Sequence, residues 1–154
     1  MPKAAVCRGV NEPLTVEELE LAPPQAGEVR VRTAASGVCH SDLSVANGTL
    51  FGAYPIVLGH EGAGVVEEVG DGVTGLAPGD HVVLSWVPQC GECFFCQRDQ
   101  GFLCEVGAAG MAGGGQLDGT TRFTSASGEE VRQMACTGTF SEQIVVPAIG
   151  AVKI

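Results

Sequence analysis

Gly59-His60-Glu61-Gly62-Ala63-Gly64-Val65-Val66-Glu67-Glu68-Val69-Gly70-Asp71-Gly72 reads as one short strand with a turn at its end. Residues 62–69 are rich in valine, and Gly70-Asp71-Gly72 is a strong turn signal. His60 stands among glycines at the mouth of that strand. The same pattern repeats outward from it. Upstream, Glu28 to Arg32 alternates cleanly, with Val29 and Val31 facing one way and Glu28, Arg30 and Arg32 the other, as in a half-buried strand. Lys3 to Arg8 reads as a short strand, Leu14 to Glu20 alternates in part and can pair with it, and Pro23-Pro24 with Gly27 forms a break. Ser41 or Asp42 can cap a short helix ending near Gly48, and Gly52 to Pro55 reads as loop. Downstream, Pro78-Gly79-Asp80 turns into a strand from His81 to Val87, and Phe140 to Pro147 reads as another. Residues 107–130, rich in Gly, Ser and Thr, are expected to be irregular. Short strands between glycine turns predict a mainly β domain rather than a helix bundle.

The composition agrees. The 154 residues suffice for one domain with a real core. The chain is 45% apolar and 17% charged, with 23 glycines, which implies many turns and close backbone approaches. Its formal net charge of −10 argues against nucleic acid or an anionic membrane as partner, because both need basic patches; the acidity reads as simple solubility. The N-terminus lacks a long apolar signal region, and no apolar run approaches the roughly 20 residues that span a bilayer. A cytoplasmic location is therefore expected. Seven cysteines without a secretory signal suggest metal ligands or free thiols rather than a disulfide framework. No internal repeat and no dividing linker is visible. No Gly-x-Gly-x-x-Gly follows a strand, so no dinucleotide fold is signalled.

Residues 88–105 hold four cysteines and little periodicity, so something other than an apolar core must organise them. Cys90, Cys93, Cys96 and Cys104 are spaced C-x2-C-x2-C-x7-C. Four thiolates this close can surround one tetrahedral zinc in a closed, structural site, which would lock a loop that cannot lock itself by burial. An iron–sulfur cluster is the first rival. However, the bacterial ferredoxin run has three residues before its fourth Cys and then Pro, whereas here seven intervene and Glu105 follows. Free or disulfide-paired thiols in a flexible loop are the plain alternative.

Cys39 and His60-Glu61 form a second candidate group. A lone Cys is usually a small buried hydrophobe, and a lone His is more often structural than a ligand. Context argues otherwise. His60 lies between glycines, and Cys39 is followed by His40, Ser41 and Asp42. Cys plus His supplies two ligands of a Cys2His zinc site, a set that leaves the metal an open position for substrate; alcohol dehydrogenase is the standing example of that set.

At these motifs the sequence resembles the zinc-containing medium-chain alcohol dehydrogenases over nearly its whole length. The anchors are Gly37-Val38-Cys39-His40-Ser41-Asp42, Gly59-His60-Glu61-Gly62-Ala63-Gly64-Val65-Val66, Gly79-Asp80-His81-Val82 and the four-cysteine lobe. Gly119 to Phe123 and Gly138-Thr139-Phe140-Ser141 look closest to the long-lobed branch that includes glutathione-dependent formaldehyde dehydrogenases. The resemblance implies a GroES-like, partly open β-barrel over residues 1–154, with a short helix and a zinc-stabilised lobe at about 88–105. It implies that Cys39 and His60 ligate a catalytic zinc, that the lobe cysteines hold a structural one, and that NAD(P) binds on a separate Rossmann domain. Zinc would act as a Lewis acid on an alcohol or aldehyde, with hydride passing to NAD(P)+. Ser41 would take the alcohol proton, Asp42 would orient His60, and Glu61 would lie behind the zinc. His40 matches a position facing the cofactor pyrophosphate, though it would otherwise be a surface His. Leu50 and Trp86 match substrate-pocket positions, though Trp86 could equally be ordinary core. His81 is assigned no role, and Cys7 and Cys136 read as buried thiols. The full enzyme is expected to be a homo-oligomer.

Two departures from the family pattern stand out. Many members place a His two residues after Asp42 to end a proton relay; Ser44 stands there instead, with His40 or water as substitute. The family's third catalytic ligand, a Cys, and its Rossmann domain fall beyond Ile154, so residues 1–154 alone are expected to be inactive and to hold the catalytic metal weakly. The other reading of function is a non-catalytic, zinc-stabilised GroES-like module that binds a partner. A purely structural module would need only the four-cysteine lobe, whereas Cys39, Ser41, Asp42, His60 and Glu61 together favour an enzyme.

Overall fold

The computed structural model describes residues 1–154. In chain order the strands are β1 (Lys3–Cys7), β2 (Thr15–Glu18), β3 (Glu20–Leu21), β4 (Glu28–Ser36), β5 (Ile56–Val57), β6 (Gly62–Val69), β7 (His81–Leu84), β8 (Phe123–Thr124), β9 (Glu130–Gln133), β10 (Gln143–Pro147) and β11 (Ala151–Lys153). The helices are α1 (His40–Ala46) and α2 (Glu105–Gly113). One sheet runs β2-β1-β5-β9-β8-β3 and the other β10-β4-β6-β7-β11. Every pairing is antiparallel except β5 with β9. The sheets curl together into a mainly β, partly open barrel. They meet where Ala4 bridges Ser141 and the Ala5 N–H bonds the Phe140 carbonyl.

The alternation of β4 has the expected result at its centre. Val29 and Val31 are fully buried beside Val66, Phe123 and Ile144 in one core cluster, and each such side chain contributes about 1.5–3 kcal/mol by leaving water. Arg30 and Arg32 point outward and pair with Glu68 and Glu67 on β6. Glu28 differs from expectation. It lies buried and is held by Arg122, whose Nη2 is 2.6 Å and Nε 2.9 Å from its carboxylate oxygens. That partner comes from a distant part of the chain, so strand periodicity could not reveal it.

Two further expectations are corrected. Residues 107–130 are irregular only in part: they carry most of α2 and the two-residue β8, β9 begins at Glu130, and residues 114–122 and 125–129 lie outside helix and strand. Glycine hides this helix from propensity, since glycine costs about 1 kcal/mol per helical position relative to alanine. Tertiary contact requires glycine here. A Cβ on Gly107 would collide with the Pro88 carbonyl oxygen, and one on Gly110 would approach the Cys136 sulfur to 3.0 Å. The strand expected from His81 to Val87 stops at Leu84, because the Ser85 N–H bonds the Gly150 carbonyl at 2.7 Å and the chain then turns. No helix is long and apolar enough to cross a membrane.

Candidate functional site

The short helix α1 begins one residue after Cys39, which is its N-cap. Neither Ser41 nor Asp42 is the cap. Asp42 is the third helical residue, and its Oδ2 reaches back to accept the Cys39 N–H at 2.8 Å, the reciprocal half of a capping box. Its other oxygen accepts the Gly59 N–H at 2.9 Å and lies 3.3 Å from His60 Nδ1. A single buried carboxylate therefore ties the start of α1 to the Gly59–His60 corner. With Nδ1 turned toward Asp42, the imidazole presents Nε2 on its other side, as a metal-binding His does.

Glycine makes the corner possible. Gly59 has φ +90°, a left-handed value, and a Cβ there would strike Thr139 and Phe140. Gly37 leaves the space that the Glu61 carboxylate fills. Ligand atoms of Cys39, His60 and Glu61 all lie within 4.8 Å of one another. A soft thiolate, an imidazole nitrogen and a carboxylate oxygen are a donor set that suits zinc.

His60 of this cluster lines a cavity of about 410 Å³ whose walls are mostly apolar. Ser41, Leu50, His60 and Trp86 line it. Trp86 stands edge-on to His60 with ring centroids 6.3 Å apart. Ser41 Oγ lies 3.6 Å from the Cys39 sulfur. His40 is exposed and does not line this cavity; its Nδ1 is 3.2 Å from Ser44 Oγ. The remaining wall carries no local sequence signal. Phe51 and Ile56, Met111, and Met134 reach it from three separate segments, which only the fold brings together. His81 is exposed on β7, away from the cavity, and Cys7 and Cys136 are buried thiols.

Cys90, Cys93, Cys96 and Cys104 form the second cluster, their sulfurs again mutually within 4.8 Å. Cys90 and Cys96 sulfurs are 3.9 Å apart. Four sulfurs at about 2.3 Å around a tetrahedral zinc would be about 3.8 Å apart, so the loop already has the required size. Backbone N–H groups point at the sulfurs: those of Glu92 and Cys93 at Cys90, and those of Cys90 and Gly107 at Cys104. Such donors favour thiolate. Backbone N–H groups of Cys96 and Glu105 bring Cys93 down to about 6. For Cys104, burial opposes ionisation, but the Gly107 and Cys90 N–H groups outweigh it and lower its pKa.

A partly open barrel with one Cys–His–Glu cluster beside an apolar cavity, and a separate four-thiol loop, is the plan of a GroES-like oxidoreductase domain. Residues 25–154 match the family described as the alcohol dehydrogenase GroES-like domain, and the chain belongs to it, among the zinc-containing medium-chain alcohol dehydrogenases. It is 45% identical over 152 residues to the NDMA-dependent alcohol dehydrogenase of Amycolatopsis methanolica, covering 99% of this chain and 40% of that protein. Among solved structures, it resembles an alcohol dehydrogenase zinc-binding domain protein from Burkholderia ambifaria, with TM-score 0.93, 38% identity, and coverage of 99% of this chain and 41% of that one. It also resembles benzyl alcohol dehydrogenase from Acinetobacter calcoaceticus, with TM-score 0.89, 30% identity and the same coverage. The chain thus spans about two fifths of the length of these relatives.

Proposed function

We propose that residues 1–154 are the substrate- and zinc-binding domain of a zinc-dependent, NAD(P)-linked alcohol dehydrogenase, with a structural zinc in the lobe at about 88–105. The observation that carries this reading is the Cys39–His60–Glu61 cluster, whose His60 lines a mostly apolar cavity together with Ser41. A zinc-stabilised module that only bound a partner would have no use for that pairing. The nicotinamide cofactor binds outside these residues in this reading, because the two mostly antiparallel sheets are not the parallel α/β layer of a dinucleotide fold.

When bound, zinc supplies Lewis acidity toward the alcohol oxygen and NAD(P)+ accepts hydride. The chain's own residues do the rest. Cys39 and His60 hold the metal, and Glu61 stands close enough to join them. Asp42 fixes the His60 ring. Ser41 Oγ would take the hydroxyl proton while passing its own to water or to the His40–Ser44 pair on α1, the pair standing in for the His that the family pattern places at position 44. His40 also offers one contact to a cofactor phosphate. Leu50 and Trp86, both about half exposed, offer apolar surface to the substrate's carbon part.

Metal analysis and an assay at 340 nm test this. Residues 1–154 should hold one zinc tightly and a second weakly, and should not reduce NAD+ with benzyl alcohol. A polypeptide extended to the relatives' length should do so, with Cys39→Ser and His60→Ala abolishing turnover. Full turnover in either variant would refute the assignment.

A further inference from the structure

The two cysteine-containing sites are mechanically joined. Cys104 belongs to the four-thiol cluster and is also the N-cap of α2, accepting the Gly107 N–H at 3.3 Å. Gly107 is seated against the Pro88 carbonyl, and Gly110 against Cys136 and the Gln116 carbonyl. The helix therefore has contact on one side from end to end, with no Cβ at either point to hold it off. At its far end Gly114 is buried, and its carbonyl accepts the Gln133 N–H at 2.9 Å. Met111 and Ala112, carried between these fixed points, line the apolar cavity together with Met134 and Ala135. Glycine-rich and only nine residues long, α2 has little stability of its own. Its position comes from what grips it, and the first grip is a cluster thiolate.

We propose that the four-cysteine cluster is a positioning element for the substrate cavity. Cys104 anchors α2, α2 holds Met111 in the cavity wall, and Met111 sets how large an apolar group the cavity accepts. The lobe thereby governs substrate size without touching substrate. The idea rests on the alcohol-oxidising reading only for what the apolar ligand is; the mechanical link stands on the helix contacts alone.

Binding is read by isothermal titration calorimetry, because naphthyl probes emit in the same band as Trp86, the only tryptophan, which lines the cavity. Four probes are titrated against zinc-loaded protein: benzyl alcohol, 2-naphthylmethanol, and their hydroxyl-free counterparts toluene and 2-methylnaphthalene. Met111→Ala should favour the naphthyl over the phenyl member about tenfold relative to wild type, the scale at which apolar pockets discriminate. Gly107→Ala, which drives α2 off Pro88, and Cys90→Ser, which breaks the cluster without removing the cap, should shift the naphthyl-to-phenyl ratio in the same direction. Met111→Ala with an unchanged ratio would overturn the proposal. So would a shift in Met111→Ala alone, with Gly107→Ala and Cys90→Ser folded by circular dichroism and selecting as wild type does. The hydroxyl comparison is separate and uses the polypeptide extended to the relatives' length with two zinc equivalents bound: if both alcohols bind no better than their hydrocarbons there, the zinc–alcohol reading fails while the cavity-wall link is still decided by the hydrocarbon pair.

Discussion

The two cysteine-bearing clusters are built by opposite means. In the 88–105 lobe all four donors come from one short loop, and the N–H groups that favour their thiolates belong to the same loop or to the first turn of α2. At the other cluster Cys39 and His60 come from separate segments, joined by one buried carboxylate, Asp42, and one glycine with left-handed backbone, Gly59. A locally closed site depends on its ion, because little apolar surface is buried around it: Phe94, Phe102 and Leu103 remain exposed. A site assembled from distant segments depends on the fold, and its geometry should outlast loss of the metal.

Breaking the lobe should therefore have the largest effect. Cys90→Ser should abolish the zinc binding proposed for the lobe, whose free energy in small thiolate sites is about 10–16 kcal/mol. Limited proteolysis should then cut within residues 88–105 while the barrel core stays intact. Retention of a full zinc equivalent in this variant would remove the basis of the comparison.

At the other cluster the large effect should come from a residue that is not a metal donor in the proposed set. Asp42→Ala should lower stability by about 3 kcal/mol, since it leaves the Cys39 and Gly59 N–H groups without their acceptor. The urea midpoint at unchanged slope measures this, and the loss should be the same with and without zinc. A loss that appears only in zinc-loaded protein would mean that this corner, too, depends on its metal.

Two glycines sharpen the contrast further. Gly59 and Gly91 both have left-handed φ, +90° and +78°, but a Cβ on Gly59 meets Thr139 and Phe140 whereas one on Gly91 meets nothing within 4 Å. Gly91→Ala should cost about 1 kcal/mol of backbone strain, and Gly59→Ala at least about 2 kcal/mol. Equal costs would show that the His60 corner relaxes freely.

The last contrast concerns a cysteine in neither cluster, whose effect is absent at neutral pH. Burial pushes the Cys136 thiol from 9.0 up to about 12. A group whose folded pKa is raised stabilises the fold fully below its unfolded value and loses that contribution as pH rises toward the folded one. Stability should therefore fall between pH 9 and pH 12, and less so in Cys136→Ala. Folded protein at pH 8 should leave Cys136 unmodified by thiol reagents. Fast modification of it there would show that this wall beside α2 opens readily.

The legibility of these features follows the range of the forces behind them. The strand at 62–69, the alternation of Val29 and Val31, and the thiol spacing of the lobe are set by neighbours in sequence, through side-chain alternation, turn chemistry and ligand spacing, and the sequence determined them by itself. Only the tertiary structure decided the rest. Cys39 rather than Ser41 or Asp42 became the cap because Asp42 is drawn back by two N–H groups and by His60. Glu28 went inward because Arg122 is there to meet it. The glycine-rich α2 formed because Pro88, Cys136 and the Cys104 sulfur hold a segment whose intrinsic preference is against helix. The cavity wall of Phe51, Ile56, Met111 and Met134 has no motif because burial of apolar surface is non-directional and takes its members from wherever the fold brings them.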